Sequence, residues 1–245
     1  MAELLAVVTG GTRGIGLAFS RRLTKLGYRV VALYRADLGG AAAAEHLDGA
    51  ITTMRLDVSR SAPVRDGARD ILAAHGAPAV LVNNAGVNID RPFLDMSDED
   101  WETVIGTNLS GAFYVTRAFA PAMLDAGGGS IINVGATTGI RPRRNGANYC
   151  ASKAGLLQLT KCLAIELAPA IRVNALIPGM TATEELAERF GLRDPARLAA
   201  VLNEIPQQRL ASADDIADAL EFLVGTQSSY LTGQKLIVDG GQFMW

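Results

Sequence analysis

Histidine and cysteine each occur only twice in the 245 residues, as His46, His75, Cys150 and Cys162. No Cys/His spacing of a metal site is present, so no metal ligand is expected. Neither histidine stands near a nucleophile motif, and Gly-x-Ser-x-Gly is absent, which argues against a Ser-His hydrolase. Both histidines read as surface or helix-end residues. Both cysteines fall in one expected helix and read as small buried apolar residues. No basic stretch stands out: 23 basic against 25 acidic residues leave a formal net charge of −2, a balance that argues against a nucleic-acid partner. No apolar run is long enough to span a bilayer. The N-terminus has neither a basic leader nor a cleavage pattern, and Arg21-Arg22 lies inside a helical stretch rather than in a twin-arginine address. A cytoplasmic protein is expected.

What is plentiful is apolar sequence, at 49% of residues with a mean hydropathy of +0.19. That richness suits a sheet covered on both faces, whose strands read as continuous apolar runs. Such runs lie at 4–9, 29–34, 51–56, 79–82, 130–134, 171–177 and 235–238. Helical stretches fall between them at 15–26, 62–74, 98–124, 148–167 and 214–223, and the Ala-rich run 41–44 reads as a short surface helix. Strand–helix alternation with short loops implies right-handed crossovers. The expected fold is therefore α/β: a single-domain Rossmann fold over 1–245, a doubly wound seven-stranded parallel sheet with helices on both faces. Residues 1–135 would form its dinucleotide-binding half and 136–245 its catalytic half. Between Pro178 and Pro206 the rhythm breaks into a charged helical stretch with no strand. Its position beyond the end of a strand favours a lid over a substrate pocket, against a merely solvated pair of helices.

The first strand runs into Thr9-Gly10-Gly11-Thr12-Arg13-Gly14-Ile15-Gly16, which opens a helix. Glycines at such a turn let backbone N–H groups approach a pyrophosphate, and the helix N-terminus adds partial positive charge. Gly10, Thr12, Arg13, Gly14, Ile15 and Gly16 are thus candidate dinucleotide contacts. The end of the second strand carries Tyr34-Arg35 where an acidic residue would hold a ribose 2′-hydroxyl. Arg35, with Arg13 beside it, suits a 2′-phosphate, so NADP(H) is expected as the cofactor. Asp37 is the dissenting acid.

Tyr149 and Lys153 stand at i and i+4 of an expected helix and share one face. A phenol is a poor acid at neutral pH. A lysine charge beside it is expected to lower its pKa and fit it to give a proton to a carbonyl oxygen as hydride reaches the carbon.

Together with Asp57-Val58, Asn83-Asn84-Ala85-Gly86, Asn108, Asn133-Val134, Pro178-Gly179 and Asp239-Gly240-Gly241, these motifs resemble the short-chain dehydrogenase/reductase family, close to bacterial 3-oxoacyl-thioester reductases. The resemblance covers nearly the whole chain. It implies Tyr149 as general acid/base, Lys153 as the holder of the nicotinamide ribose, and Asn108 as the residue positioning a proton-relay water. It implies adenine contacts at Asp57 and Val58 and a ribose lining at Asn83, Ala85 and Gly86. Pro178, Gly179 and Thr183 would cradle the carboxamide. The tail 238–245 would form a homotetramer.

Two departures stand out. The family's catalytic serine position, fixed by Asn133 and Gly139, falls on Ala136, which has no hydroxyl. Thr137 or Thr138 supplies the donor instead, or the residue is a deliberate serine-to-alanine change, or the protein binds NADP(H) with lost or altered chemistry. Second, the stretches where carrier-dependent relatives are basic carry no basic residue here. Arg141, Arg143 and Arg144 cluster elsewhere and read either as a solvated loop or as a docking patch for an acyl carrier protein. The expected function is NADPH-dependent reduction of a 3-oxoacyl thioester in fatty-acid, polyketide or polyhydroxyalkanoate chemistry. The alternatives are a sugar, polyol or steroid alcohol dehydrogenase, or a catalytically impaired NADP(H)-binding subunit.

Overall fold

A computed structural model of the chain describes residues 4–47 and 49–244. Seven parallel strands form one sheet: β1 (Leu4–Thr9), β2 (Tyr28–Tyr34), β3 (Ile51–Arg55), β4 (Pro78–Asn83), β5 (Gly129–Val134), β6 (Ile171–Pro178) and β7 (Lys235–Val238), in the order β3-β2-β1-β4-β5-β6-β7. The helices are α1 (Gly14–Lys25), α2 (Leu38–Leu47), α3 (Ser61–His75), α4 (Asp98–Ile105), α5 (Gly111–Asp125), α6 (Ala147–Glu166), α7 (Glu184–Phe190), α8 (Pro195–Asn203) and α9 (Ala213–Val224). The seven expected strands are all present, within one or two residues at each end.

Alternation along the strands divides the core between two faces. Leu5, Val7, Val31, Leu33 and Leu81 point to a layer filled by α3, α5 and α6, with Phe119 and Met123 at its centre. Ala6, Val8, Val30, Ala32 and Val80 point the other way, to Phe19 and Leu23 of α1 and Ile216 and Leu220 of α9. Both faces being covered explains why the strands read as unbroken apolar runs rather than as alternating ones.

Strand order reverses between β1 and β4, so the loops leaving their carboxyl ends diverge and open a crevice at that edge. Every loop that carries a sequence motif leaves the sheet at this end.

Three expectations need correction. The stretch 98–124 is not one helix: α4 and α5 are separated by a π-helical turn, Gly106–Ser110. A π turn is a single-turn bulge within an otherwise helical run, and a coarse apolar pattern does not resolve it. The Ala-rich helix is longer than the run 41–44, and Ala41 and Ala44 are buried against the sheet rather than on the surface. Finally, the cysteines are not core residues, since Cys162 is exposed and Cys150 half-buried. His75 closes α3 as expected; the side chain of His46 and residue Trp245 lie outside the described residues. Among the described residues no helix is long and apolar enough to cross a membrane.

Candidate active site

The glycine loop owes its shape to close backbone approach. A Cβ on Gly16 would lie 2.0 Å from the Gly10 carbonyl oxygen, and Gly14 takes a φ of +52°, a region a side chain disfavours. Asn84, from the end of β4, clamps the loop: its Nδ2 donates to the carbonyls of Thr9 (3.0 Å) and Gly10 (3.1 Å). Thr9 Oγ1 in turn accepts from the backbone N–H groups of Asn84 and Ala85. Thr12 is buried, whereas Arg13 is exposed at the α1 N-cap. Arg13 makes no side-chain cap, and no acidic residue lies in the first turn of α1. Ile15, half-buried, packs toward the core beneath. The result is a helix end with outward-facing donors and no internal anion, which fits a pyrophosphate.

At the neighbouring loop ends, Arg35 and Asp57 line a groove of ≈ 350 Å³ with Arg55, Leu56 and Pro63. Arg35 is exposed, and Asp37 is turned away to the start of α2, where its Oδ1 accepts from Gly40 N at 2.9 Å. The dissenting acid is thus a helix cap. Asp57 Oδ1 accepts from the N–H and hydroxyl of Ser59, and the Val58 side chain is buried against Gly111 of α5.

The Asn83 side chain is taken up by the fold. Nδ2 donates to Thr116 Oγ1 (2.9 Å) and Asn133 Oδ1 (2.8 Å), and Asn133 Nδ2 donates to Thr160 Oγ1 (2.9 Å). This buried row ties β4 and β5 to α5 and α6. Ala85 and Gly86 border the site: a Cβ on Gly86 would lie 3.4 Å from Asn108 Oδ1 and 3.7 Å from Lys153 Nζ.

Asn108 sits on the π turn, fully buried. Its Oδ1 accepts from Val87 N at 2.8 Å, and its Nδ2 donates to Val87 O (2.9 Å) and Ser152 Oγ (3.1 Å). Both Nδ2 hydrogens and one acceptor position of Oδ1 thus serve to pin the chain after β4 onto α6. Asn148 pins the start of α6 in the same way, donating to the carbonyls of Ile89 and Asp100 while accepting from Tyr149 N. Sequence reasoning missed this residue, and it held Asn84 only as a member of the 83–86 motif, with no role of its own. An asparagine directly before the tyrosine was the only available sign.

Tyr149 and Lys153 share a face of α6 as their spacing implies, with Nζ 5.8 Å from the ring centroid. Lys153 is buried, donates to Val134 O at 2.7 Å, and is pushed down by burial to about 8. The expected lowering of the Tyr149 pKa is not what the surroundings give. Burial pushes the phenol up, and the charges working against that rise are the guanidiniums of Arg189 and Arg143. Each of these stands 5.8 Å from the ring centroid.

That pair comes from separated parts of the chain. Arg143 lies on the loop before α6, and Arg189 lies on α7, in the charged stretch after β6. Asp90 bridges them, with Oδ1 2.5 Å from Arg143 Nη2 and Oδ2 3.4 Å from Arg189 Nε. Asn88 accepts from Arg143 at 2.8 Å and donates to Asp90. Burial works against the Asp90 charge, but hydrogen bonds from Arg143 and Asn88 and the charge of Arg189 outweigh it and hold its pKa below the usual value.

The arginines 141–144 do not form one patch, because Arg143 turns inward to Asp90, Arg141 lies over the Phe243 ring, and Arg144 is exposed.

Ala136 opens a 3₁₀ turn, Thr137–Gly139, packed on α6 at Lys153. Thr138 Oγ1 is buried with no partner. From β6, Pro178 and Gly179 run past Asp239, and Thr183 caps α7 with its methyl 3.6 Å from where a Gly14 Cβ would stand. The stretch after β6 thus starts against the glycine loop and reaches Tyr149.

A family model described as enoyl-(acyl carrier protein) reductase matches residues 10–242. Its span takes in both the glycine loop and the Tyr149/Lys153 helix. The chain belongs to the short-chain dehydrogenase/reductase family. It is 36% identical over 241 residues to the 3-oxoacyl-[acyl-carrier-protein] reductase FabG of Escherichia coli (strain K12), covering 98% of this chain and 97% of that one. It is 37% identical over 240 residues to the acetoacetyl-CoA reductase of Rhizobium meliloti (strain 1021), covering 98% of both. Among solved structures, a gluconate 5-dehydrogenase from Burkholderia cenocepacia J2315 in complex with NADP and tartrate superposes with a TM-score of 0.91 at 32% identity, over 99% of this chain and 96% of that one. The chain is thus an oxidoreductase of the short-chain dehydrogenase/reductase type, a family that uses NAD(P).

Proposed function

We propose that this oxidoreductase reduces the ketone of a 3-oxoacyl thioester with NADPH. The observation that carries the reading is the Tyr149/Lys153 pair, held on one face of α6 across the crevice from an uncapped glycine-loop helix. Bound NADPH supplies the hydride. Tyr149, a phenol already protonated at neutral pH and pushed further up by burial, donates to the ketone oxygen. Lys153 binds the nicotinamide ribose and keeps the tyrosine in place. Asn108 orients the Val87 backbone and α6 around them, a positioning role beside the proton-relay role the family implies. Arg35 and Arg13 take the 2′-phosphate, Asp57 and Val58 the adenine, and Ala85, Gly86, Pro178, Gly179 and Thr183 the nicotinamide end.

The thioester substrate is supported by the two curated relatives above. Supply of the acyl group on an acyl carrier protein or coenzyme A, and assembly as a homotetramer through the C-terminal tail, follow from the same kinship. A second reading, oxidation of a sugar acid, is favoured by the arginines beside Tyr149 and by the gluconate 5-dehydrogenase neighbour.

The test is NADPH oxidation with acetoacetyl-CoA. Turnover is expected with NADPH, with kcat/KM for NADH lower by about tenfold or more, a gap that Arg35→Asp closes by removing a charge-assisted contact. No oxidation of NADPH with any 3-oxoacyl thioester overturns the reading.

A further inference from the structure

We propose that Arg143 and Arg189 form a subsite for a carboxyl-level oxygen of the substrate, the second oxygen of a ketone whose carbonyl is reduced at Tyr149. The inference rests on the proposed reduction at Tyr149 and adds what selects the substrate.

The geometry carries it. Both guanidiniums stand 5.8 Å from the Tyr149 ring centroid, one from the loop before α6 and one from the lid helix α7. A single carboxylate, Asp90, is shared between them, and among the described residues it is the one acid within ion-pair distance of either guanidinium. Glu185 of α7 also acts on the tyrosine but is exposed and therefore screened by solvent. Asp90 and the Arg143 side chain are only partly covered, at 33% and 25% exposure, so N–H groups of the fork remain open to a ligand. Arginine presents five donors in a planar array, and Arg143 uses its Nη2 on both Asp90 and Asn88. What such a fork selects is an oxygen acceptor with negative or partial negative charge.

In a 3-oxoacyl group the ketone oxygen and the carboxyl-level oxygen are separated by three carbons. The guanidiniums stand 5.8 Å from the Tyr149 ring centroid, and the subsite places the second oxygen on them when the first is on the hydroxyl. A simple ketone has nothing to place there. The shared chemistry is a carboxyl-level oxygen, borne by a thioester or by a free carboxylate, and charge-assisted hydrogen bonding serves both. Arg189 adds selectivity for closure: it completes the subsite only when α7 lies over the crevice.

The experiment uses the full chain with NADPH and three ketones: the N-acetylcysteamine thioester of acetoacetate, which carries no phosphate, free acetoacetate, and 2-butanone. The ratio of kcat/KM for each acetoacetyl compound to that for 2-butanone is measured in the unaltered protein and in Arg143→Gln and Arg189→Gln. Loss of a charge-assisted contact should lower the ratio by about tenfold or more in each variant, for whichever acetoacetyl form the protein prefers. The preferred form identifies thioester or acid as the source. A ratio unchanged within about twofold overturns the subsite. If no ketone is reduced, the proposed reduction falls, and the subsite is judged separately by calorimetric titration of acetoacetate into the NADP⁺-loaded protein. Weakening by about tenfold in the variants upholds the subsite, and equal binding overturns it.

Discussion

At the residue scale, the unusual position is Ala136. Tyr149 and Lys153 are in place, yet the family's serine hydroxyl is missing beside them. Thr138 does not compensate in this conformation, since its Oγ1 is shut away from solvent and has no hydrogen-bond partner among the described residues. One donor at a developing oxyanion is worth about 10²–10³ in rate. Ala136→Ser is therefore expected to raise NADPH-dependent reduction of a 3-oxoacyl thioester by about that factor while leaving the fold intact. No gain in kcat would mean that the missing hydroxyl is not what sets the rate. The tyrosine itself was visible in the sequence, but its surroundings were not. A lysine four residues on announced a cationic neighbour; burial pushing that lysine down to about 8, and the approach of Arg143 and Arg189 from distant segments, depend on contacts that no local pattern encodes.

At the scale of elements, the strands were readable because burial on both faces makes them apolar end to end. What stayed hidden was which polar residues of those strands serve structure and which serve the crevice. Asn83 and Asn133 sit side by side in register on β4 and β5 and face the helices. Asn84, one residue on and on the opposite side, faces the glycine loop. Motif resemblance treats Asn83 and its neighbours as one unit, whereas the two-residue period of the strand separates them. The row Asn83–Asn133–Thr160 predicts a stability effect independent of catalysis. Asn133→Ala strips partners from the buried Asn83 amide and Thr160 hydroxyl and should cost about 1–3 kcal/mol, read as a lower denaturant midpoint at unchanged slope. A midpoint equal to that of the unaltered protein would show the row to be dispensable. The π turn at Gly106–Ser110 was likewise unreadable, yet it fixes Asn108 between Val87 and Ser152.

At the scale of the whole molecule, strand order explains why residues scattered from Gly10 to Thr183 meet. Loops from the carboxyl ends of six successive strands converge at the crevice beside β1 and β4: the glycine loop, Arg35, Asp57, Ala85-Gly86, Ala136 and Pro178-Gly179. The stretch after β6 adds Thr183 against Gly14 and Arg189 against Tyr149, linking the expected dinucleotide end to the expected reaction centre. That convergence was foreseeable from the alternation of strands and helices. The Asp90 bridge that joins α7 to the loop before α6 was not.

The most direct measurement pairs turnover with cofactor binding in Tyr149→Phe. NADPH affinity is followed by fluorescence titration and reduction of acetoacetyl-CoA by absorbance. The variant should still bind NADPH, with kcat reduced by about 10²–10⁴, the share expected of a general acid. Retention of kcat within about tenfold would contradict the assignment of the phenol as proton donor.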